Sequence, residues 1–133
     1  MWLSEHTAAA GRAQHARAGV GTVTIGGRNA AVLLGGEQRN IGIIAPQGMQ
    51  WRPAREQQVL VLETDDGERY ILGAADPGGD GLGEGEICLK SGETWLKIGR
   101  DGSISAEGEV HICGDMYLTG RLFLNGIEVQ AGG

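Results

Sequence analysis

His111 and Cys113 are the two residues in this chain best suited to holding a metal. They stand two apart in Glu109-Val110-His111-Ile112-Cys113, a spacing that sets both on one side of a strand. Imidazole with thiolate suits zinc or iron, and several copies of the chain would multiply the pair into a ring of ligands. Val110 and Ile112, however, share the phase of an apolar row. His111 and Cys113 are therefore expected to face outward with Ser105, Tyr117 and Phe123, as surface or groove residues, and no metal site is expected. Asp65, Asp66 and Glu68 would suit acid/base work or a cation, but around Gly67 they read as the solvated tip of a hairpin. Gly26-Gly27, Gly35-Gly36 and Gly78-Gly79 read as turns, because none precedes a helix or a lysine at phosphate-loop spacing. His6 and His15 have no serine or cysteine in a nucleophile context, so no triad can be assembled. Trp2, Trp51 and Trp95 are candidate interface anchors. For Trp51, in a loop beside Arg52-Pro53, an anchoring role and a core role both stay open. The chain is expected to be non-enzymatic and to carry no cofactor.

The element that positions His111 and Cys113 is a repeat. Glycine falls on every sixth position at Gly102, Gly108, Gly114, Gly120, Gly126 and Gly132. In the first four units the third and fifth positions are apolar or small: Ile104/Ala106, Val110/Ile112, Met116/Leu118 and Leu122/Leu124. Such alternation lines one face of a strand, and the glycines let the backbone turn between short strands. In the last unit the phase shifts, with Ile127 and Val129 at the second and fourth positions, so the final strand is expected to pack differently.

Size and composition bound the rest. At 133 residues the chain has room for one ordinary domain or two small modules. Glycine is abundant (25) without a Gly-X-Y period, which excludes collagen. Hydrophobic content of 41% is too high for a disordered chain, while 5% aromatics is meagre for a large core built by one copy. Self-assembly is the expectation. A net charge of −6 repels phosphate backbones, so nucleic-acid binding is not expected. No apolar run approaches a membrane helix, and Met1–Thr7 lacks the blocks of a secretory signal. Cys88 and Cys113 are read as unpaired, in keeping with synthesis in a cytoplasm.

Along the chain, residues 1–17 are alanine-rich and read as a short helix capped by Ser4 or as a tail. Residues 18–75 carry short alternating runs at Val20–Ile25, Ala30–Leu34, Arg39–Ala45, Val59–Leu62 and Arg69–Leu72, and predict a small antiparallel barrel or sandwich. Residues 76–83, Asp-Pro-Gly-Gly-Asp-Gly-Leu-Gly, are the linker. Residues 84–133 begin with strands at Glu86–Lys90 and Thr94–Ile98 and continue into the hexads.

A lone ribbon of hexads loses backbone freedom while burying little, and both of its edges are left unpaired. Copies around one axis bury the row and pair each other's edges. The expected core of that assembly is Ile104, Val110, Ile112, Met116, Leu118, Leu122 and Leu124. The competing architecture is the left-handed β-helix of hexapeptide-repeat acyltransferases. It needs about three hexads per coil and several coils, and places a small residue after each apolar anchor. This chain shows neither, so the intertwined homotrimer fits better.

In these features the chain resembles the small central-spike proteins of contractile phage tails, the phage baseplate assembly protein V group with its Mu-like spikes. The resemblance covers roughly residues 19–133. It is carried by Gln58-Val59-Leu60-Val61-Leu62-Glu63, Tyr70-Ile71-Leu72-Gly73-Ala74, Gly85-Glu86-Ile87-Cys88-Leu89 and Leu96-Lys97-Ile98-Gly99-Arg100-Asp101-Gly102-Ser103-Ile104, and by the hexad tail closing on Asn125-Gly126-Ile127. It implies an all-β chain: an OB-like collar barrel followed by an intertwined triple-stranded β-helix, as a homotrimer. It implies a virion component at the tail baseplate, assembled in the bacterial host's cytoplasm. Its implied partners are the tail tube or baseplate hub protein, and its target is the bacterial envelope, punctured when the sheath contracts. Many members end in a His-x-His pair that rings a buried iron. Here Gly126-Ile127 runs into Glu128-Val129-Gln130-Ala131-Gly132-Gly133, so a metal-capped apex is not expected. A separate tip protein or plain packing would close the point. The rival functions are an OB-fold module for oligonucleotide or sugar, which needs a basic groove, and a hexapeptide-repeat acyltransferase, for which His111 is the candidate base.

Overall fold

A computed structural model describes residues 17–78 and 81–132. These fall into two compact units divided after Gly78, and no helix occurs among the described residues. Trp2, His6, His15 and almost all of the predicted N-terminal helix or tail lie outside the described residues. Arg17, placed with that tail by sequence, begins the first strand instead.

The first unit is a closed five-stranded barrel of β1 (Arg17–Ile25), β2 (Ala30–Leu33), β3 (Glu37–Ile43), β4 (Gln58–Glu63) and β5 (Arg69–Ala74). The order around the barrel is β1-β2-β3-β5-β4, antiparallel except for β3 against β5. This is consistent with an OB-like fold. β1 closes the barrel because it is long enough to serve two partners, β4 along Arg17–Thr22 and β2 along Thr22–Ile25. Irregular register between Val23 and Ile25, Ala30 and Val32, and Leu60 and Val61 gives the strands the local kinks that a small closed sheet requires.

Alternation decides what lies inside. Val23, Val32, Ile41, Val59, Val61 and Ile71 are buried with Ala30, while Val20 and Leu60, one residue out of phase, face outward. No charged or polar residue is buried among the described ones. Gly21 points inward where no side chain fits: a Cβ there would lie 2.5 Å from Val32 Cγ1 and 2.7 Å from the Leu33 carbonyl oxygen. Trp51 packs against the core from the β3–β4 connection, which settles its role toward packing.

The β4–β5 turn forms where Asp65-Asp66-Gly67 predicts it. Gly67 takes φ 85°, the Thr64 amide donates to the Glu68 carbonyl at 2.8 Å, and Asp66 accepts from the Thr64 hydroxyl and the Glu68 amide. The acidic cluster is thus a turn organiser.

In the second unit, β6 (Ile87–Ser91), β7 (Thr94–Ile98) and β8 (Ile104–Glu107) form an antiparallel meander. Gly92 at φ 60° opens the two-residue β6–β7 loop, and the β7–β8 turn is held by the Asp101 carboxylate, which accepts from the Ser103 amide and hydroxyl. β9 (Leu122–Leu124) and β10 (Ile127–Val129) form a separate hairpin.

Between β8 and β9 the chain leaves its sheets. The two middle hexads do not form paired strands within the chain. Residues 109–113 and 115–119 lie outside every sheet, interrupted by Gly114, and none of their backbone groups hydrogen-bonds another described residue. The glycine beat is nevertheless visible in the backbone. Gly108, Gly114 and Gly120 bend the chain at nearly one angle, with φ of 133°, 139° and 129°. Gly102 and Gly126, at φ 91° and 79°, are ordinary turn glycines.

Candidate functional site

The second unit sorts its side chains into a polar face that is knit together and an apolar face that nothing covers. Register makes this explicit in the meander. Ile87 pairs with Ile98 and Ile98 with Ile104, while Leu89 pairs with Leu96 and Leu96 with Ala106, so all six share one face of the sheet. Ile87 is 57% exposed and Ile104 71%. On the opposite face the Trp95 Nε1–H donates to Glu107 Oε2 at 3.0 Å, and Lys97 Nζ lies 3.3 Å from Glu86 Oε1. The Gly83 amide, donating to Glu86, and then Lys97 hold the Glu86 carboxyl below the ordinary range. Cys88 and Lys90 border a shallow hollow there with Leu82, Trp95 and Lys97.

The same division continues through the hexads. His111 Nε2 meets Glu109 Oε1 at 2.9 Å, the Tyr117 hydroxyl donates to Asp115 Oδ2 at 3.4 Å, and the Arg121 guanidinium stands 5.4 Å from the Phe123 ring centre. Each pair joins the second and fourth positions of its hexad. The third and fifth positions have no such partners. Val110, Ile112, Met116, Leu118, Leu122 and Leu124 are all exposed, Val110 and Met116 at 70% or more.

His111 and Cys113 are both exposed, and His111 engages Glu109. No group of three metal-ligating side chains comes together among the described residues. Both cysteines are free thiols, Cys88 half-buried and Cys113 exposed.

Sequence reasoning missed four members of the uncovered face: Ile87, Leu89, Leu96 and Ile98. Their signal was present, since Ile-x-Leu and Leu-x-Ile alternate just as the hexads do, but they precede the glycine beat. It also missed the last turn. Asn125 and Gly126 both take positive φ, 51° and 79°, between the closing pair Leu124 and Ile127, as a two-residue type I′ loop does. That turn explains the phase shift. Reversing the chain returns Ile127 and Val129 to the face of Leu124 and Leu122.

Compared with protein-family models, with curated proteins and with solved structures, the chain matches none. What the arrangement offers is therefore read from its own geometry. It presents a long exposed apolar face and, beside it, backbone without hydrogen-bond partners among the described residues.

Proposed function

We propose that this chain is a non-enzymatic structural spike of a contractile phage tail or related injection particle. Three copies wind about one axis as an intertwined β-helical needle with Ile104, Val110, Ile112, Met116, Leu118, Leu122 and Leu124 turned inward. The observation that carries this reading is the uncovered row beside backbone that lacks partners from Glu109 to Thr119. Exposed apolar area on this scale marks an interaction site. Backbone N–H and C=O groups packed against apolar surface must also find hydrogen bonds.

A neighbour that satisfies both needs has to follow the same six-residue bends at Gly108, Gly114 and Gly120, and another copy of this chain does so. Around a common axis each segment lends its edge to the next, which leaves no free edge and resists shear. The polar contacts Glu109–His111, Asp115–Tyr117 and Arg121–Phe123 then lie on the outside. In this reading the barrel of residues 18–75 is the collar that meets the tail tube or hub, and the needle of residues 84–133 enters the bacterial envelope on contraction.

An antibody against the chain should label the baseplate end of purified contractile particles. Particles that contain no trace of the chain, or label along the sheath, would contradict the assignment.

A further inference from the structure

The β9–β10 hairpin has an amphipathic form of its own. Leu122 pairs with Val129 and Leu124 with Ile127, so four apolar side chains share one face. All four are exposed, Ile127 at 73%. On the other face Glu128 stands opposite Phe123, whose ring lies under the Arg121 guanidinium. Two strands of three residues are too short to be stable alone in water. Something must cover the four apolar side chains.

Resting on the trimeric reading above, we propose that the cover of this hairpin is the same hairpin in two further copies of the chain. The face continues the row of Val110, Ile112, Met116 and Leu118, being reached from it through the Gly120 bend at the angle already used at Gly108 and Gly114. An axis that buries the row therefore also runs beside Leu122 and Leu124. The Asn125-Gly126 turn then adds Ile127 and Val129 to that face, doubling its apolar width beside Leu122 and Leu124. The face carries no charge or hydrogen-bonding side chain that would select a different partner. Arg121 and Glu128 point to the side away from it. Covering the face this way needs no metal ion and no second protein.

The test is amide hydrogen exchange in the intact wild-type protein and in the uncharged variant Ile127→Ser/Val129→Ser, each with its sedimentation mass. In the wild-type trimer, paired amides of residues 122–129 should exchange at least about 100-fold more slowly than a free peptide. The double variant should remain trimeric through the shaft while protection is lost from residue 120 onward. A wild-type trimer whose hairpin exchanges like free peptide would overturn this packing and point to a different protein as the cover. So would a double variant with unchanged protection. If the double variant does not fold, Ile127→Ala replaces it, with a partial loss of hairpin protection expected. A monomeric wild type would instead refute the trimer itself, an outcome distinct from an uncovered hairpin.

Discussion

His111 Nε2 lies 2.9 Å from Glu109 Oε1, two residues back along the same side of the chain. Successive side chains in an extended segment alternate, so the intervening Val110, and with it Ile112, lies on the opposite side. The polar pair thus marks one side and the apolar row the other. The hexads that follow repeat the device with Asp115–Tyr117 and Arg121–Phe123.

If His111 and Cys113 serve only the outer surface, His111→Ala and Cys113→Ser should leave the assembled mass and thermal midpoint unchanged. Exposed ion pairs contribute little to stability. Elemental analysis finding one bound metal per assembly, lost in either variant, would reverse this reading.

The bends at Gly114 and Gly120 have open space around them, so size is not what demands glycine there. Their φ of 139° and 129° is what other residues resist. Gly114→Ala or Gly120→Ala should destabilise the protein by about 1–3 kcal/mol per chain, read from thermal or denaturant unfolding. Gly73, with equal space and no positive φ, supplies the control. Gly73→Ala should shift stability by no more than about 0.5 kcal/mol. Equal effects at the two kinds of site would remove the backbone explanation.

Gly21 has the opposite requirement, since its place is filled by Val32 and the Leu33 carbonyl. Gly21→Val should destabilise the barrel by about 1–3 kcal/mol or more through overpacking, seen as a lower denaturant midpoint. A variant as stable as wild type would mean that β1 and β2 are not so closely apposed.

Two turns should make the protein sensitive to acid. Hydrogen bonds from Thr64 and the Glu68 amide hold the Asp66 carboxyl below its ordinary value of 3.8, and those from the Ser103 hydroxyl and amide do the same for Asp101. A carboxyl lowered in the folded state adds stability that is complete above the unfolded value. That stability is lost as pH falls from there through the lower folded value. Unfolding midpoints should therefore fall as pH drops below about 4. Asp66→Ala should be less stable at neutral pH and show a shallower acid slope. An acid slope unchanged in that variant would assign the sensitivity to other groups.

Much of the barrel was legible in the sequence because its signals are local. Val59, Val61 and Ile71 alternate, and Asp65-Asp66-Gly67 demands a turn between them. β3–β5 pairing was not legible, since a parallel contact between distant segments leaves no mark in either one. In the second unit the beat both informed and concealed. It located the bends at Gly108, Gly114 and Gly120, yet Gly126 falls on the same beat while serving a hairpin, so the Asn125-Gly126 turn was hidden inside the repeat. The alternation of residues 109–119 is present in the pattern, and Val110, Ile112, Met116 and Leu118 are all exposed in the structure. It could not say that these residues pair with no described strand, because a ladder is a property of two segments and leaves no mark in one alone.

The sedimentation mass of the intact protein, with that of Ile112→Asp and Leu122→Asp beside it, tests the central claim most directly. Wild type should sediment as three copies of the 13.9 kDa chain. Either aspartate would bring unpaired charges together at the axis and should leave no soluble trimer. A wild-type mass of one chain, or a soluble trimer from either variant, would contradict the account.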